Sequence, residues 1–258
     1  MNVYGLTDRG LVREVNEDCI GISSFNNGIT VCVVCDGMGG AAGGRIASEI
    51  GAETFINAMT TYSDEIEKSK FDSKKIKLAI KNSIEKANAA ILEHARQDLS
   101  LFGMGCTLNA LVYCDGKNKV YYANIGDSRL YMIKKKEIKQ LTKDHSYVQM
   151  LLDNRDITPE EAENHPQRNL ITKALGIKDE IEPDIYERRL YTTNDVYFLL
   201  CSDGLHGLLS KEKLKKVAIS SSSIEEKVIN YIRLANEAGG YDNISAILLC
   251  AKQTEVTK

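Results

Sequence analysis

Two apolar rhythms alternate along this chain. Short runs rich in Val, Ile, Tyr and Cys occupy residues 2–6, 19–24 and 29–35 and read as strands. In the next two segments the apolar residues recur at helical spacing: Ile46, Ile50, Phe55, Ala58 and Met59, up to about Tyr62, then Ile76, Ile80, Ile84, Ala87 and Ile91, between Lys74 and about Gln97. That spacing gathers side chains on one face, so both predict helices with one side on a core. From Cys106 the strand pattern returns, over 106–114, 119–126, 128–134 and 137–141. Asp115-Gly116 is a hairpin signal between the first two, and Gly126-Asp127-Ser128 separates the next two. Residues 144–175 have mixed helical spacing, with Thr158, Pro159 and Glu161 spaced as a capping box, and predict a small helical flap. Strands are expected again at 184–190 and 195–202, helices at about 210–219 and 224–237, and a last strand at 243–250.

Blocks of strands broken by paired helices are not the strict β-α-β-α series of a parallel sheet. They predict an α+β fold in which two antiparallel sheets pack as a sandwich with helices on both outer faces, one domain over residues 1–258. Apolar content and charge are ordinary, and a net charge of −3 offers no basic surface for nucleic acid. The N-terminus lacks a signal-like apolar stretch and no run reaches membrane-spanning length, so the expectation is a cytoplasmic protein bound to no membrane. A monomer is the default.

The seven cysteines are scattered through strand-like runs and read as buried free thiols. Cys32-x-x-Cys35 is half a zinc motif, but residues three apart on a strand point to opposite faces, and no second pair completes it.

Chemistry concentrates where strand 29–35 meets Asp36 and a stretch with five glycines in eight positions, Gly37 to Gly44. Two phosphate-cradling motifs fail there. Arg45 and Ile46 stand where a Walker A loop needs Lys and Ser/Thr, and residues 60–72 hold no second strand for a dinucleotide fingerprint. An acid at the mouth of the turn suits a metal better. Other acids lie at strand ends in the same way: Glu17 and Asp18 before Cys19, Asp127 in NIGDSR, Asp203 after DVYFLLCS, and Asp242 before the last strand. Each alone is ordinary turn chemistry. Five such places on one sheet edge would gather negative charge that needs cations, and oxygen-only ligands favour Mg²⁺ or Mn²⁺ over zinc. Two such ions roughly 3.5–4 Å apart activate a water for in-line attack on phosphorus. Arg13 is the candidate for the phosphate's other oxygens, with pairing to Glu14 as the alternative.

TDRGLVREVNED (7–18), VCDGMGG (34–40), GCTL (105–108), NIGDSR (124–129), LTKDHS (141–146), HPQRNLITKALG (165–176), LCSDGL (200–205) and GGYDNI (239–244) follow one another in a recognisable order. Together they resemble the metal-dependent serine/threonine protein phosphatases of type 2C, in their compact bacterial form. The resemblance implies hydrolysis of phosphoserine and phosphothreonine in proteins by a water bridging two Mn²⁺ or Mg²⁺ ions. It implies that Asp36 bridges the metals, with the Gly37 carbonyl on one and Asp203 and Asp242 on the other, and that Glu17 supports a metal-bound water. Asp127, with Asp203, would hold a third, weaker ion. Arg13 would bind the substrate phosphate, so Arg13, Asp36 and Asp203 are the expected catalytic residues. Asp18 and Asn243 would support the site from behind, and 144–175 would be the family's flap. A eukaryotic-like Ser/Thr kinase is the implied opposing partner.

Some residues depart from the family. Met38 stands where some relatives have a histidine proposed as general acid, Ala41 where many bacterial relatives have a histidine, Arg45 replaces a common glutamate, and Cys106 a common threonine. His145 and His165 read as flap anchors rather than metal ligands. A catalytically silent module would be favoured by a lost ligand, and none is lost; a small-ester hydrolase would differ only in its pocket walls.

Overall fold

The computed structural model describes residues 2–115, 117–190 and 195–251; Gly116 of the expected hairpin signal lies outside them. In chain order the elements are β1 (Val3–Asp8), β2 (Asp18–Ser24), β3 (Ile29–Met38), α1 (Gly40–Lys68), α2 (Ser73–Gln97), a 3-10 turn (Leu99–Leu101), β4 (Gly105–Cys106), β5 (Leu108–Cys114), β6 (Lys119–Ile125), β7 (Arg129–Lys134) and β8 (Glu137–Gln140). Then come α3 (Tyr147–Asn154), α4 (Pro159–Glu163), β9 (Asp184–Arg189), β10 (Val196–Cys201), α5 (Asp203–His206), α6 (Lys211–Ala218), α7 (Ile224–Glu237) and β11 (Ile244–Ala251).

The strands form two antiparallel sheets. One runs β1-β11-β10-β7-β8; the other runs β2-β3-β5-β6-β9, with β4 added beside β3. Alternation along the central strands explains the stacking. On β3, Val31, Val33 and Cys35 face a core shared with α1 and α2, while Cys32 and Val34 face the other sheet. On β10, Phe198 and Leu200 face that sheet, while Leu199 and Cys201 pack with residues of α6 and α7. These strands read as unbroken apolar runs because both their faces are buried. Each such side chain contributes about 1.5–3 kcal/mol relative to exposure.

Three local expectations need correction. Strand β3 does not end at Cys35 but continues through Asp36 to Met38, because Gly37 pairs with Cys106 and Met38 with Gly105 on β4. Asp18 opens β2, directly opposite Asp36, rather than preceding it. Helix α1 begins at Gly40 rather than Ile46 and reaches Lys68 rather than about Tyr62. Gly43 and Gly44 are therefore helical. They are small because a Cβ on Gly43 would crowd Met104 and one on Gly44 would strike the Glu17 carboxylate. The turn itself needs only Gly39 and Gly40, at φ 127° and 78°.

The flap begins at His145, a few residues beyond the end of β8. The His145 N–H donates to Gly126 O, its Nδ1 accepts from Gly126 N, and Thr172 N donates to its carbonyl. Ser146 caps α3, and Thr158 with Glu161 closes a capping box on α4. Leu175 then pairs with Cys106, returning the chain to the β3–β4 edge.

Candidate metal centre and phosphate site

Asp36 and Asp203 come from different sheets and meet at one edge of the sandwich, within hydrogen-bonding reach of each other. Asp36 is held by Thr107: the Asp36 N–H donates to Thr107 Oγ1 at 2.9 Å, and Thr107 N–H returns to Asp36 O at 2.8 Å. Thr107 Oγ1 also meets Ser128 Oγ at 2.7 Å, tying Asp36 to the loop of Asp127. That loop is braced from below, where Asn124 donates to Gly126 O and to Lys143 O and His206 meets the Asp127 carbonyl.

Asp203 follows Ser202, whose hydroxyl donates to Asp18 Oδ2 at 2.7 Å and accepts from Ser245 N. Gly204 lets the backbone of α5 lie against Asn243; a Cβ there would collide with its carbonyl. Asn243 binds three points of the 9–17 loop: it accepts from Glu17 N at 2.8 Å and donates to Arg9 O and Val15 O, both at 2.9 Å. Its own N–H donates to Asp242 Oδ1. Arg13 donates to Asp242 Oδ2 at 2.9 Å, so its partner is Asp242, not Glu14. Gly37 N–H donates to Glu17 O, which places the Glu17 loop against the glycine turn.

The electrostatics follow from this crowding. Enclosure by protein, then Asp18, Asp203, Asp127 and Asp242, pushes the Asp36 carboxyl well above the usual range. Burial and Asp242 raise Asp203. Asp18 and Asp127 are each pushed up to about 7, burial leading in both and Asp203 the largest repulsion. Burial raises Glu17 as well, against the pull of Arg13. Burial works against the Arg13 charge, yet Asp242, Glu17 and Asp203 together hold it above its ordinary value. Among the described residues, Glu17 Oε1 and Asp18 Oδ1 are buried oxygens with no hydrogen-bond partner.

Among the described residues, no three His, Cys, Asp or Glu side chains close into a ready cage. A Mg²⁺ or Mn²⁺ ion does not need one, since such ions use one or two carboxylates and keep several waters. An oxygen-only set, repelling carboxylates and an orphaned Glu17 oxygen fit a hard cation. Asp36 and Asp203 can share a hydrogen bond only if one is protonated, a role that a cation can take over.

Each sequence-derived position thus lies at or beside this edge: Arg13, Glu17, Asp18, Asp36, Gly37, Asp127, Asp203, Asp242 and Asn243. Sequence reasoning did not single out Thr107 or Ser202, which orient Asp36 and Asp18. Thr107 sits within GCTL and Ser202 immediately precedes Asp203, so proximity to the motifs was the available signal. Met38 is partly buried beside the turn, and Ala41 lies in the first turn of α1.

A family model described as Protein phosphatase 2C matches residues 12–247. Protein phosphatase PhpP of Streptococcus pneumoniae is 37% identical over 256 residues, covering 99% of both chains. A bacterial serine phosphatase of known crystal structure superposes with a TM-score of 0.85 at 32% identity, over 99% of this chain and 100% of that one. The catalytic domain of the phosphatase PstP, crystallised with two manganese ions, matches with a TM-score of 0.79 at 31% identity, over 97% and 98% of the two chains. The chain belongs to the protein phosphatase 2C family, the metal-dependent serine/threonine protein phosphatases.

Proposed function

We propose that Asp36, the Gly37 carbonyl, Asp203 and Asp242 hold two Mn²⁺ or Mg²⁺ ions, and that the site hydrolyses phosphoserine and phosphothreonine in proteins. The observation that carries this reading is the cluster of mutually repelling carboxylates with Arg13 as the cation bonded at its mouth. Bound there, the metals supply charge neutralisation and a water acidic enough to attack phosphorus near neutral pH. Glu17, with one oxygen unpartnered, orients water at the site. Asp127 and Asp203 provide for a weaker third ion. Arg13 takes the phosphate oxygens, aimed by its bond to Asp242. Asn243 keeps Arg13 in register by binding both flanks of its loop. Met38 and Ala41 bring no ionisable side chain, so leaving-group protonation falls to water or another group of the site. The substrates we assign are phosphoproteins made by a eukaryotic-like Ser/Thr kinase.

Hydrolysis of a phosphothreonine peptide with Mn²⁺, with Mg²⁺ and with chelator tests this. Phosphate release should require a divalent cation, stop with chelator and return when metal is added back. Folded protein that turns over nothing in saturating Mn²⁺ would overturn the reading.

A further inference from the structure

The loop that carries Arg13 has an apolar side that phosphate chemistry leaves unused. Leu11 and Val12 are 66% and 61% exposed, and Tyr241, on the loop before Asp242, is 65% exposed. The two loops are fastened together. Leu11 N donates to Gly240 O at 2.8 Å, and Arg13 bonds Asp242 at 2.9 Å. Gly240 approaches Leu11 so closely that a Cβ would lie 2.9 Å from Leu11 Cγ, and Gly239 lies against the Tyr241 ring. Leu11 and Tyr241 therefore stand on loops fastened together beside the guanidinium, with Val12 between Leu11 and Arg13 in the chain. Single exposed apolar residues need no explanation, but a group of them at the rim of a polar site marks a contact surface.

What covers them follows from the chemistry next door. A phosphorylated side chain seated on Arg13 brings its sequence neighbours with it, since successive Cα atoms are about 3.8 Å apart. Those neighbours come within reach of a strip that starts one residue from Arg13. The surface that Leu11, Val12 and Tyr241 add beside Arg13 is apolar, which favours an apolar neighbour over a charged one. We propose that Leu11, Val12 and Tyr241 form a subsite for an apolar residue flanking the phosphoserine or phosphothreonine of a protein substrate. The proposal rests on Arg13 as the phosphate holder.

The test compares phosphothreonine peptides that differ only in a flanking leucine, glutamate or lysine, with free O-phosphothreonine as the small ester. Wild-type protein in Mn²⁺ should prefer the leucine peptide in kcat/KM. The exposed double variant Leu11→Gln/Tyr241→Gln should lose about tenfold of that preference, mainly through KM, with turnover of O-phosphothreonine unchanged. A wild-type enzyme indifferent to the flank, or a variant that loses equally on every substrate, would overturn the subsite. So would an unchanged peptide ratio accompanied by loss of a concentration-dependent dimer, which would assign the strip to self-association. Failure of the phosphate-site reading looks different: wild-type protein would leave the peptides and O-phosphothreonine alike intact.

Discussion

Asp144 and Asp36 are aspartates of the same end of the sandwich, and the chain treats them in opposite ways. Asp144 is buried beside Arg129, which reaches it with Nε at 3.0 Å and Nη2 at 2.6 Å, and Gln140 donates at 2.9 Å. Arg129 in turn donates to Tyr131 and is driven further toward its charged form by these partners, despite burial. Asp36 is worse neutralised: its charged neighbours are Asp18, Asp203, Asp127 and Asp242. Asp144 is closed off with its counter-charge, whereas Asp36 has other acids around it, the arrangement the proposed metal site requires.

Exchanging each acid for its amide separates the two roles. Asp36→Asn should lower kcat/KM by on the order of 10³ and abolish the Mn²⁺-induced rise in Tm, while the metal-free protein keeps or gains stability because an ionisable group buried among acids is gone. Asp144→Asn should instead cost about 3–5 kcal/mol by stranding the Arg129 charge, lowering Tm by roughly 10 °C with catalysis in the folded fraction near normal. Thermal melts and steady-state rates on both variants check this. An Asp36→Asn protein that melts early, or an Asp144→Asn protein that is stable but inactive, would break the distinction.

The comparison also has a pH signature. Asp18 and Asp127, raised to about 7, hold protons in the folded metal-free protein that the unfolded chain releases near pH 4. The folded state therefore binds more protons across that window, and metal-free stability falls as pH rises from about 4 to 7. In the proposed metal site, cations would replace those protons. The gain in Tm on adding Mn²⁺ should be larger at pH 7.5 than at pH 5 by roughly 5 °C. Equal gains at both pH values would mean that these carboxyls do not sense the metal.

How much of this was legible in the sequence depends on range. The acids stand at the ends of apolar runs, several with a glycine alongside, so Asp203 and Asp242 could be found residue by residue. The capping box at Thr158 was equally local. What a linear pattern does not contain is which strand ends meet. Asp36 lies on β3 of one sheet and Asp203 after β10 of the other, and only the packing of Phe198 and Leu200 against the opposite sheet brings them to one edge. The glycine stretch was misread for a related reason. Gly43 and Gly44 carry helix-breaking propensity, but Met104 and Glu17, distant in sequence, press on that helix face and require small residues there. The family resemblance supplied roles that the pattern left open, such as Arg13 on phosphate rather than on Glu14.

A third aspartate sharpens the contrast at its weak end. Asp72 is exposed, and its Oδ1 accepts from Lys74 N at 2.9 Å and Lys75 N at 3.1 Å, capping α2. Its counterpart is neither an arginine nor a cation but two backbone N–H groups of its own helix. Asp72→Ala should therefore cost only about 1 kcal/mol, a fall in Tm of roughly 2–4 °C. The effect still registers globally because Ile76, Ile80, Ile84 and Ile91 of α2 are core residues under the β3 sheet. Metal dependence and kcat/KM should not move, since the cap is satisfied within the helix and carries no charge toward the sheet edge. A change in Mn²⁺ affinity in Asp72→Ala would show that α2 transmits strain to Asp36 through β3, and the separation between local, paired and open acids would have to be redrawn.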